Sequence, residues 1–414
     1  LSLPGDDQGL EIMRKQVLNG AYCLKDHTDV MGFDPDRNVI NIVASGAMVP
    51  EAISASETLL EEGIYSVVIN VTGPGPLYRN YRNLVNESVS GASQISRAVA
   101  QLFPGAIQGA PVVTVADAHP HALAWIGGAL ESRIFPLGVY DWGQSGSRYD
   151  LYKEYGTDAD SIVAAGMAAS GKIPFASTFA IFTERAFEQV RNGIARPELT
   201  VHICGSHGGI HTGTDGSSAQ SIEDLAIYRT IPGMTVMHPC DDLSAEELTV
   251  QLLGHHGPTY MRTARNKIPR VYDESSAHEL RIGRGSVLRT GDDVCIIACG
   301  VMVSQALAAA NQLAVEGIEA SVIDMHTLKP LDKALVDSMV ESCGCFVTAE
   351  DHSVIGGLGG SVAEHLSTGT TAPLEMVGVS DVFGQSGTPS ELMSSMGLTS
   401  EDIKSSALRA ISRK

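Results

Sequence analysis

The sequence predicts an α/β protein of three αβα units with mostly parallel sheets, in which the first and third units are copies of one domain type. Apolar strand-like runs alternate with amphipathic helix-like segments, which is typical of parallel sheets covered by helices. A stretch in the first half of the chain also returns almost unchanged near its end. A chain of 414 residues is long enough for two or three domains of ordinary size.

The first half of the repeat is a strand–helix–strand segment. Residues 38–71 read NVINIVASGAMVPEAISASETLLEEGIYSVVINV, and residues 293–325 read DVCIIACGVMVSQALAAANQLAVEGIEASVIDM. In each copy an apolar strand ends at a glycine, Gly46 or Gly300, and a helix with a 3.6-residue period follows. Each helix ends at an EG pair before a β-branched strand. The two copies are therefore predicted to share one order of elements.

The second half of the repeat continues this order. PVVTVAD and CFVTAED are predicted buried strands, and FPLGVYD and LEMVGVSD are predicted later strands. WGQSGSRYDLYKEYGTDADSI at 142–162 then matches FGQSGTPSELMSSMGLTSEDI at 383–403. Gly in the shared GQSG can adopt left-handed backbone angles, and Ser can cap the next helix. We therefore predict like domains at 1–163 and 280–414, with a different domain at 164–275.

The middle domain is predicted to be a short α/β unit. GKIPFASTFAIFTERAFEQVRNGIA indicates a strand, a turn and a helix that begins at Thr183. LTVHICGSHGG indicates a buried strand that ends in glycine. HTGTDGSSAQSIED is a polar loop in which Ser221 is the expected N-cap and Asp224 the third helical residue. GMTVMHPCD and GPTYMRTAR indicate further strands.

The composition argues against nucleic acid and membranes as partners. The formal net charge is −20, and aromatic residues make up only 5% of the chain. Such a charge repels phosphate backbones and anionic lipids, and few aromatic side chains are available to stack on bases. No apolar run approaches the roughly 20 residues of a membrane-spanning helix. A small anionic substrate would need a local basic pocket.

The cysteines indicate a reducing compartment. Seven cysteines are scattered along the chain, and several lie in apolar strand-like runs such as VCIIACG. The N-terminal segment has neither the basic start nor the apolar core of a signal peptide. We therefore expect buried free thiols and a cytoplasmic location.

Two glycine-rich segments resemble phosphate-binding motifs. GMAASGKI nearly fits GxxxxGK[ST], but Ile173 offers no hydroxyl group where the motif has Ser or Thr. GGLGG at 356–360 could bind a phosphate at a helix N-terminus, although a tight turn with close helix–sheet packing is the favoured interpretation.

Residues from about 166 to 414 resemble the transketolase family of thiamine-diphosphate enzymes. The motifs are SGKIPFASTFAIFTERAFEQVRN, HGGIHTGTDGSSAQSIEDLAIYRTIPGMTVMHPCD, VIDMHTLKPLD and HSVIGGLGGSVAEHL. The N-terminal copy resembles the final domain of the homodimeric pyruvate dehydrogenase component, through GVYDWGQSGSRYDLYKEYGTDADSIV and EIMRKQVLNGAYCLKD. This resemblance implies that the third domain and its N-terminal copy are transketolase C-terminal-type domains, and that the middle domain binds the cofactor's pyrimidine ring.

The resemblance also implies a set of site residues. Phe179 and Phe182 match the aromatic residues beside the pyrimidine, and His207 matches a catalytic, substrate-facing histidine. Asp215 matches a contact to a sugar hydroxyl group. Arg265 matches an arginine that binds the sugar phosphate, and Arg262 is a second candidate for that contact.

Three family features are missing. The glutamate that activates the cofactor would align with Thr157, and a family histidine after Asp215 is replaced by Ala219. The sequence has no GDG motif with the Asn-rich stretch that binds magnesium. The resemblance thus implies thiamine diphosphate whose Mg²⁺ is held by a missing or partner domain. The middle sheet is expected to be incomplete or to take an edge strand from the N-terminal copy.

Three functions remain open at this point. The first is ketol transfer between phosphorylated sugars, in a homodimer or in a hetero-oligomer with a diphosphate-binding subunit. The second is a thiamine-dependent pyruvate dehydrogenase component. The third is a non-catalytic or chimeric protein, favoured by Thr157 and Ala219.

Overall fold

The chain contains two compact units. The computed structural model describes residues 7–87, 99–139, 147–369 and 371–414. The first unit comprises Leu1–Pro174 and Glu188–Leu199, and the second comprises Phe175–Phe187 and Thr200–Lys414. The described residues form three five-stranded sheets, one in the first unit and two in the second. The predicted α/β fold of three mostly parallel units is confirmed.

Each sheet is formed by five strands. The first sheet contains β1 (Ala21–Asp26), β2 (Val39–Ser45), β3 (Tyr65–Val71), β4 (Val112–Ala116) and β5 (Ile134–Gly138). The middle sheet contains β6 (Phe175–Phe179), β7 (His202–Ser206), β8 (Thr235–Met237), β9 (Thr259–Thr263) and β13 (Thr327–Lys329). The third sheet contains β10 (Ser286–Arg289), β11 (Val294–Ala298), β12 (Ala320–Asp324), β14 (Phe346–Ser353) and β15 (Leu374–Val379).

Helices connect the strands in both units. Those of the first unit are α1 (Asp7–Asn19), α2 (Val49–Glu61), α3 (Pro74–Glu87), α4 (His121–Ala124), α5 (Ile126–Ala129), α6 (Arg148–Glu154), α7 (Ala159–Ala169) and the π-helix Val190–Ala195. In chain order the others are α8 (Ala180–Arg185), α9 (Phe187–Gln189), α10 (Asp224–Thr230), α11 (Asp242–Leu252), α12 (Glu274–Ala277), α13 (Met302–Val315), α14 (Lys333–Ser342), α15 (Leu358–Leu366), α16 (Pro389–Ser395) and α17 (Ser400–Ser412). Within the described ranges, none of these helices is both long and apolar enough to cross a membrane.

The first and third sheets have the same topology. Their strand orders are β1-β3-β2-β4-β5 and β10-β12-β11-β14-β15. In each sheet the first strand of the order is an antiparallel edge strand, and the other neighbours pair in parallel. This shared order confirms the duplication. Residues 142–146, which carry Trp142 and the first GQSG, lie outside the described residues.

The repeated strand–helix–strand segments follow the predicted pattern. Helix α2 buries Ala52, Ala55 and Leu59 on one face, as the 3.6-residue period predicts. It ends before Gly63, whose φ of +74° is the left-handed conformation that terminates helices at glycine. Gly317 has the same role after α13, with φ of +78°. Burial of a Leu side chain such as that of Leu59 contributes about 2 kcal/mol.

The middle sheet takes an edge strand from the third segment of the chain. Its order is β13-β8-β9-β7-β6, and β13 pairs antiparallel with β8. Strand β13 follows β12 after only two residues, so the chain leaves the third sheet and enters the middle one there. The expectation that the N-terminal copy supplies this strand is wrong. Strand β6 forms the other edge of the sheet.

Two predicted helix starts are wrong. Helix α8 begins at Ala180 rather than Thr183, because Phe179 is the last extended residue before it. Helix α10 begins at Asp224, with Glu223 rather than Ser221 in the N-cap position. Ser221 instead forms a β-bridge with Gly208, so its backbone is held away from the helix.

One helix lies where the N-terminal copy meets the part of the chain that resembles the transketolase family, and this helix belongs to the first unit. Helix α7 is capped by Asp158, whose side chain accepts from Ser161 N, and it packs against α2. Thr157 is 2% exposed, and its hydroxyl group donates to the Tyr152 carbonyl oxygen at 3.4 Å. The domain limits 1–163, 164–275 and 280–414 stay predictions.

Candidate active site

The carboxyl ends of three neighbouring parallel strands carry the predicted site residues. Phe179 ends β6 and pairs with Ser206, which ends β7. Ser206 in turn pairs with Thr263 at the end of β9. His207 is the first residue after β7 and Arg265 the second residue after β9, at the same edge of the sheet. Ligands of open α/β sheets bind at this edge.

An aromatic stack lies at the carboxyl edge of the middle sheet. The rings of Phe179 and His207 have centroids 3.8 Å apart and are inclined by 13°. The rings of Phe179 and Phe182 are nearly parallel, with centroids 5.5 Å apart. Phe182 is 57% exposed, so one side of the stack is open to a planar ligand. The structure thus brings together three predicted site residues, whose roles stay predictions.

His207 is held in an unusual backbone conformation. Its φ of +62° lies in the left-handed region, which non-glycine residues rarely adopt. Its Nδ1 lies 3.0 Å from the Ser206 hydroxyl oxygen. Burial lowers the pKa of His207. A neutral imidazole can both donate and accept a hydrogen bond, as a contact to a sugar hydroxyl group requires.

Asp215 and Arg265 form an ion pair beside the stack. Arg265 Nε lies 2.8 Å from Asp215 Oδ2, and about a third of the Arg265 side chain is exposed. Asn266 orients this segment by donating from Nδ2 to the His211 carbonyl oxygen at 2.6 Å. The predicted sugar contacts of Asp215 and Arg265 stay predictions.

Arg262 is not a substrate contact in this structure, which corrects the second phosphate candidate. Its side chain is 0% exposed and forms an ion pair with Asp224, with Nε 3.2 Å from Oδ2. Its Nη1 donates to the Asp351 carbonyl oxygen at 2.7 Å and its Nη2 to the Ser221 carbonyl oxygen at 2.6 Å. The Arg262 side chain is therefore enclosed by its partners within the second unit, a distinction that the RTAR motif does not reveal.

The last two glycines of GSHGG allow close packing behind His207. A Cβ atom at Gly208 would overlap the Arg262 guanidinium, and one at Gly209 would overlap the Asp351 carboxylate. Gly209 also has φ of +82°. Larger residues are excluded at both positions, because Arg262 and Asp351 occupy the space directly behind the loop.

The GQSG turn of the third domain contacts the loop that carries Asp215. Gln220 Nε2 donates to the Gly213 carbonyl oxygen at 3.0 Å and to the Gln385 carbonyl oxygen at 2.9 Å. A Cβ atom at Gly384 would overlap the Gln220 side chain. Ala219, one residue earlier, provides no polar side-chain group to this loop.

Glu184 is a further candidate site residue, which the sequence analysis did not single out. The hydroxyl group of Ser221 donates to its carboxylate. Burial raises the pKa of Glu184 to about 7, and Asp224 and Glu223 act in the same direction. The only sequence signal is an acidic residue two positions after Phe182, which does not by itself distinguish a site residue from a solvent-exposed one.

The GGLGG segment is a turn whose amides are already bonded. Glu350 accepts from Leu358 N and Gly359 N, both at 2.7 Å, at the start of α15. The buried carboxylate of Glu350 occupies the place that a phosphate would take. The tight-turn interpretation of GGLGG is therefore confirmed.

A cavity lies at the same edge of the sheet and is lined by Ala264 and Asn266, the sequence neighbours of Arg265. It has a volume of about 390 Å³ and is lined by residues that include Pro239, Thr263, Asn266, Lys267 and Arg270. Its walls follow the carboxyl ends of β8 and β9 and carry charges of both signs. This volume is of the size that small-molecule sites have.

The fold and this sheet edge define an α/β protein with an aromatic stack at the carboxyl edge of its middle sheet. Residues 161–270 match the transketolase pyrimidine binding domain, and residues 283–403 match the transketolase C-terminal domain. The chain belongs to the transketolase family. The additional resemblance of the N-terminal copy to a pyruvate dehydrogenase domain stays a prediction.

Three relatives illustrate this membership. The chain is 43% identical over 253 residues to the 6-deoxy-6-sulfo-D-fructose transketolase subunit SqwH of Clostridium sp. (strain MSTE9), covering 61% of this chain and 78% of that protein. It is 42% identical over 243 residues to a putative transketolase C-terminal section of Methanocaldococcus jannaschii, covering 58% and 76%. A solved split-gene transketolase, described as an inactive beta4 tetramer, aligns with TM-score 0.57 and 36% identity over 77% of this chain and 97% of its own.

Proposed function

We propose that this chain is a subunit of a thiamine-diphosphate-dependent transketolase that transfers a two-carbon ketol unit between phosphorylated sugars. The observation that carries this proposal is the open stack of Phe179, Phe182 and His207 at the carboxyl edge of the middle sheet. A flat heteroaromatic ring such as the cofactor's pyrimidine fits against the exposed face of Phe182.

The described residues fit one part of the cofactor. Phe179 and Phe182 would hold the pyrimidine ring, and when bound the cofactor supplies the electron sink that stabilises negative charge on a substrate carbon. In the described ranges no group of three His, Cys, Asp or Glu side chains is arranged to hold a metal ion. We propose that Mg²⁺ and the diphosphate are held by a missing or partner domain.

The chain's own polar residues would bind and orient the sugar. Neutral His207 would exchange hydrogen bonds with a hydroxyl group near the reacting carbon. Arg265 would bind the distal phosphate, since its planar guanidinium matches phosphate oxygens. Asp215 holds Arg265 in place and would contact a sugar hydroxyl group.

A separate diphosphate-binding subunit is the proposed partner. The relatives described as a subunit, a C-terminal section and a split-gene product support this assembly. The assembly would be a hetero-oligomer with this subunit, and a homodimer of this chain is the alternative. The seven free thiols, five of them buried, support a cytoplasmic location.

Reconstitution tests this function. The full chain is mixed with the diphosphate-binding subunit of a split transketolase, thiamine diphosphate and Mg²⁺, and ketol transfer between sugar phosphates is measured. We expect Phe182→Ala to lower cofactor affinity about tenfold or more, because the stacking face is lost. Arg265→Ala should raise the KM for the sugar phosphate with a smaller change in kcat.

Phe175→Ala is the matched control for this experiment. Phe175 lies at the opposite end of β6, away from the carboxyl edge, and its ring contacts that of His202 at a tilt of 51°. Equal loss of cofactor binding in both phenylalanine variants would contradict the assignment of Phe182. Pyruvate-dependent reduction of an artificial electron acceptor by the same assembly would favour the dehydrogenase alternative instead.

Thr157 supports a second candidate, a non-catalytic chain. Threonine cannot provide the carboxyl group that activates the pyrimidine, and Thr157 is buried in the first unit. Failure of every assembly to bind thiamine diphosphate would establish this alternative. One DNA read across codons 140–187 tests the chimeric version, because a break near 162–171 would separate two ordinary coding sequences.

A further inference from the structure

The loop that carries His207 needs support from outside itself. His207 and Gly209 both have positive φ, and the chain turns sharply between β7 and the 3₁₀ segment Ile210–Asp215. A non-glycine residue in the left-handed region persists when surrounding contacts determine its conformation. The Thr212 hydroxyl group supplies one such contact by donating to the His207 carbonyl oxygen at 2.7 Å.

The main support comes from Asp351, which lies 141 residues further along the chain than Ile210. Asp351 Oδ1 accepts from Ile210 N at 2.7 Å, and Oδ2 accepts from His211 N at 2.9 Å. Asp351 is 1% exposed and lies on β14 of the third sheet. The two carboxyl oxygens thus satisfy two backbone amides of the loop in a buried place, where an unpaired amide would cost about 1–3 kcal/mol.

Asp351 is itself held in position. Arg262 donates from Nη1 to the Asp351 carbonyl oxygen and from Nη2 to the Ser221 carbonyl oxygen. Gly209 N donates to the same Ser221 oxygen at 2.6 Å. Ser353 N donates to the Ile222 carbonyl oxygen at 2.9 Å, two residues after Asp351. The end of β14 and the His207 loop thus form one buried hydrogen-bonded network.

We propose that Asp351 of the third domain is a positioning residue for His207, and that it holds the His207 ring against Phe179 through the amides of Ile210 and His211. The catalytic meaning of this contact rests on the proposed function, in which His207 faces the sugar. The third domain then contributes to the site through β14, without touching the ligand.

The duplication provides an internal control for this role. PVVTVAD and CFVTAED align Asp117 with Asp351. The sheet registers agree with this alignment. Ala44 of β2 pairs with Val115, two residues before Asp117, and Ala298 of β11 pairs with Ala349, two residues before Asp351. Asp117 is exposed, whereas Asp351 is buried. Asp117→Asn therefore removes the same carboxylate from the equivalent strand position without affecting the His207 loop.

A spectroscopic experiment tests the proposal on the full chain without cofactor or partner. Histidine side chains are labelled with ¹³C, and His207 is assigned by comparison with His207→Gln. Stacking on Phe179 shifts the His207 ring signal upfield. We expect Asp351→Asn to move this signal toward the position of an exposed histidine and Asp117→Asn to leave it unchanged. An unmoved His207 signal in folded Asp351→Asn would overturn the proposal.

The signal of His202 reports whether the variant is folded. His202 is buried at the start of β7, where Nδ1 lies 2.9 Å from the Thr259 hydroxyl oxygen, and it is remote from Asp351 along that strand. If Asp351→Asn does not fold, hydrogen exchange of the unsubstituted chain decides the question. We expect the Ile210 and His211 amides to exchange at least about tenfold more slowly than exposed amides. Exchange at the exposed rate would contradict the proposal.

Activity is measured separately in the reconstituted assembly. We expect Asp351→Asn to lower kcat/KM by about tenfold or more, as loss of supporting residues around a site typically does, with Asp117→Asn unchanged. Absence of ketol transfer in the unsubstituted assembly would reject the proposed function alone. The position of the His207 signal would still decide whether Asp351 holds the loop.

Discussion

Asp324 and Glu184 show how burial sets the chemistry of single residues in this chain. Burial raises the pKa of Asp324 to about 7, and the pKa of Glu184 is raised to about the same value. Tyr272 donates to Asp324 Oδ2 at 2.8 Å at the end of β12. Both carboxyl groups therefore change ionisation near neutral pH, whereas an exposed carboxyl group changes at about pH 4.

The stability of the second unit should depend on pH through Asp324. Because the folded-state pKa is above the unfolded value, the folded chain holds an extra proton between about pH 4 and pH 7. The unfolding free energy contributed by Asp324 is present below pH 4 and is lost as the pH rises through 7. We expect Asp324→Asn to remove this loss, so that its free energy of unfolding relative to the unsubstituted chain increases by a few kcal/mol from pH 5 to pH 8.

Urea unfolding at several pH values, followed by circular dichroism, measures this difference. Comparison of the variant with the unsubstituted chain cancels the contribution that buried histidines make to the free energy of unfolding. His326 is one of them, and burial lowers its pKa to about 4. Those histidines act in the opposite direction, because the stability that a neutral buried imidazole contributes to the folded chain is lost as the pH falls below about 6.5. A constant difference between the two proteins across this pH range would show that Asp324 does not titrate near neutrality.

At the scale of elements, helix α8 is a short segment held by two hydrogen bonds. It has six residues and follows the edge strand β6, whose side chains are largely exposed. Tyr228 donates to the Thr183 carbonyl oxygen at 2.5 Å, and Ser221 donates to Glu184. Since so short a helix is not stable alone, these contacts fix the position of Phe182.

Removal of one of these contacts should loosen the helix. We expect Ser221→Ala to lower the free energy of unfolding by about 1–2 kcal/mol, because Glu184 loses its hydrogen-bond donor in a partly buried place. Hydrogen exchange of peptides that cover 180–187 should become faster. Ser218→Ala is the control, since Ser218 lies in the same loop and is exposed, and its effect should stay within about 0.5 kcal/mol. Equal effects of the two variants would argue against the contact.

At the scale of the whole molecule, the chain contains one domain type twice in two compact units. The first unit holds one copy, and the second holds the middle sheet with the other copy. Trp125 belongs to the first unit, and Trp142, the other tryptophan, lies outside the described residues but in the same part of the sequence. Tryptophan fluorescence therefore reports on the first unit, whereas circular dichroism reports on both.

The two units should unfold in separable transitions, because each has its own buried core. Leu59→Ala removes a fully buried side chain of α2 and should lower the stability of the first unit by about 2–5 kcal/mol. We expect the fluorescence transition to shift and the remaining dichroism transition to stay in place. Leu313→Ala, on the corresponding helix α13, should do the reverse. A single transition that both variants shift equally would mean that the units unfold together.

The sequence by itself determined the features that local patterns encode. Alternating strands and helices, the glycines that end α2 and α13, and the duplicated order of elements all depend on residues close together in the chain. The family motifs also singled out Phe179, Phe182 and His207, because these residues match site residues of the family that the sequence resembles.

Only the tertiary structure decided which segments meet. Arg262 and Arg265 belong to one motif, yet the first is buried against Asp224 and the second is partly exposed beside Asp215. Strand β13 joins the middle sheet, and Asp351 reaches the His207 loop from a different domain. These outcomes depend on packing between residues far apart in the chain, where burial and hydrogen bonding rather than local preference determine the lowest free energy.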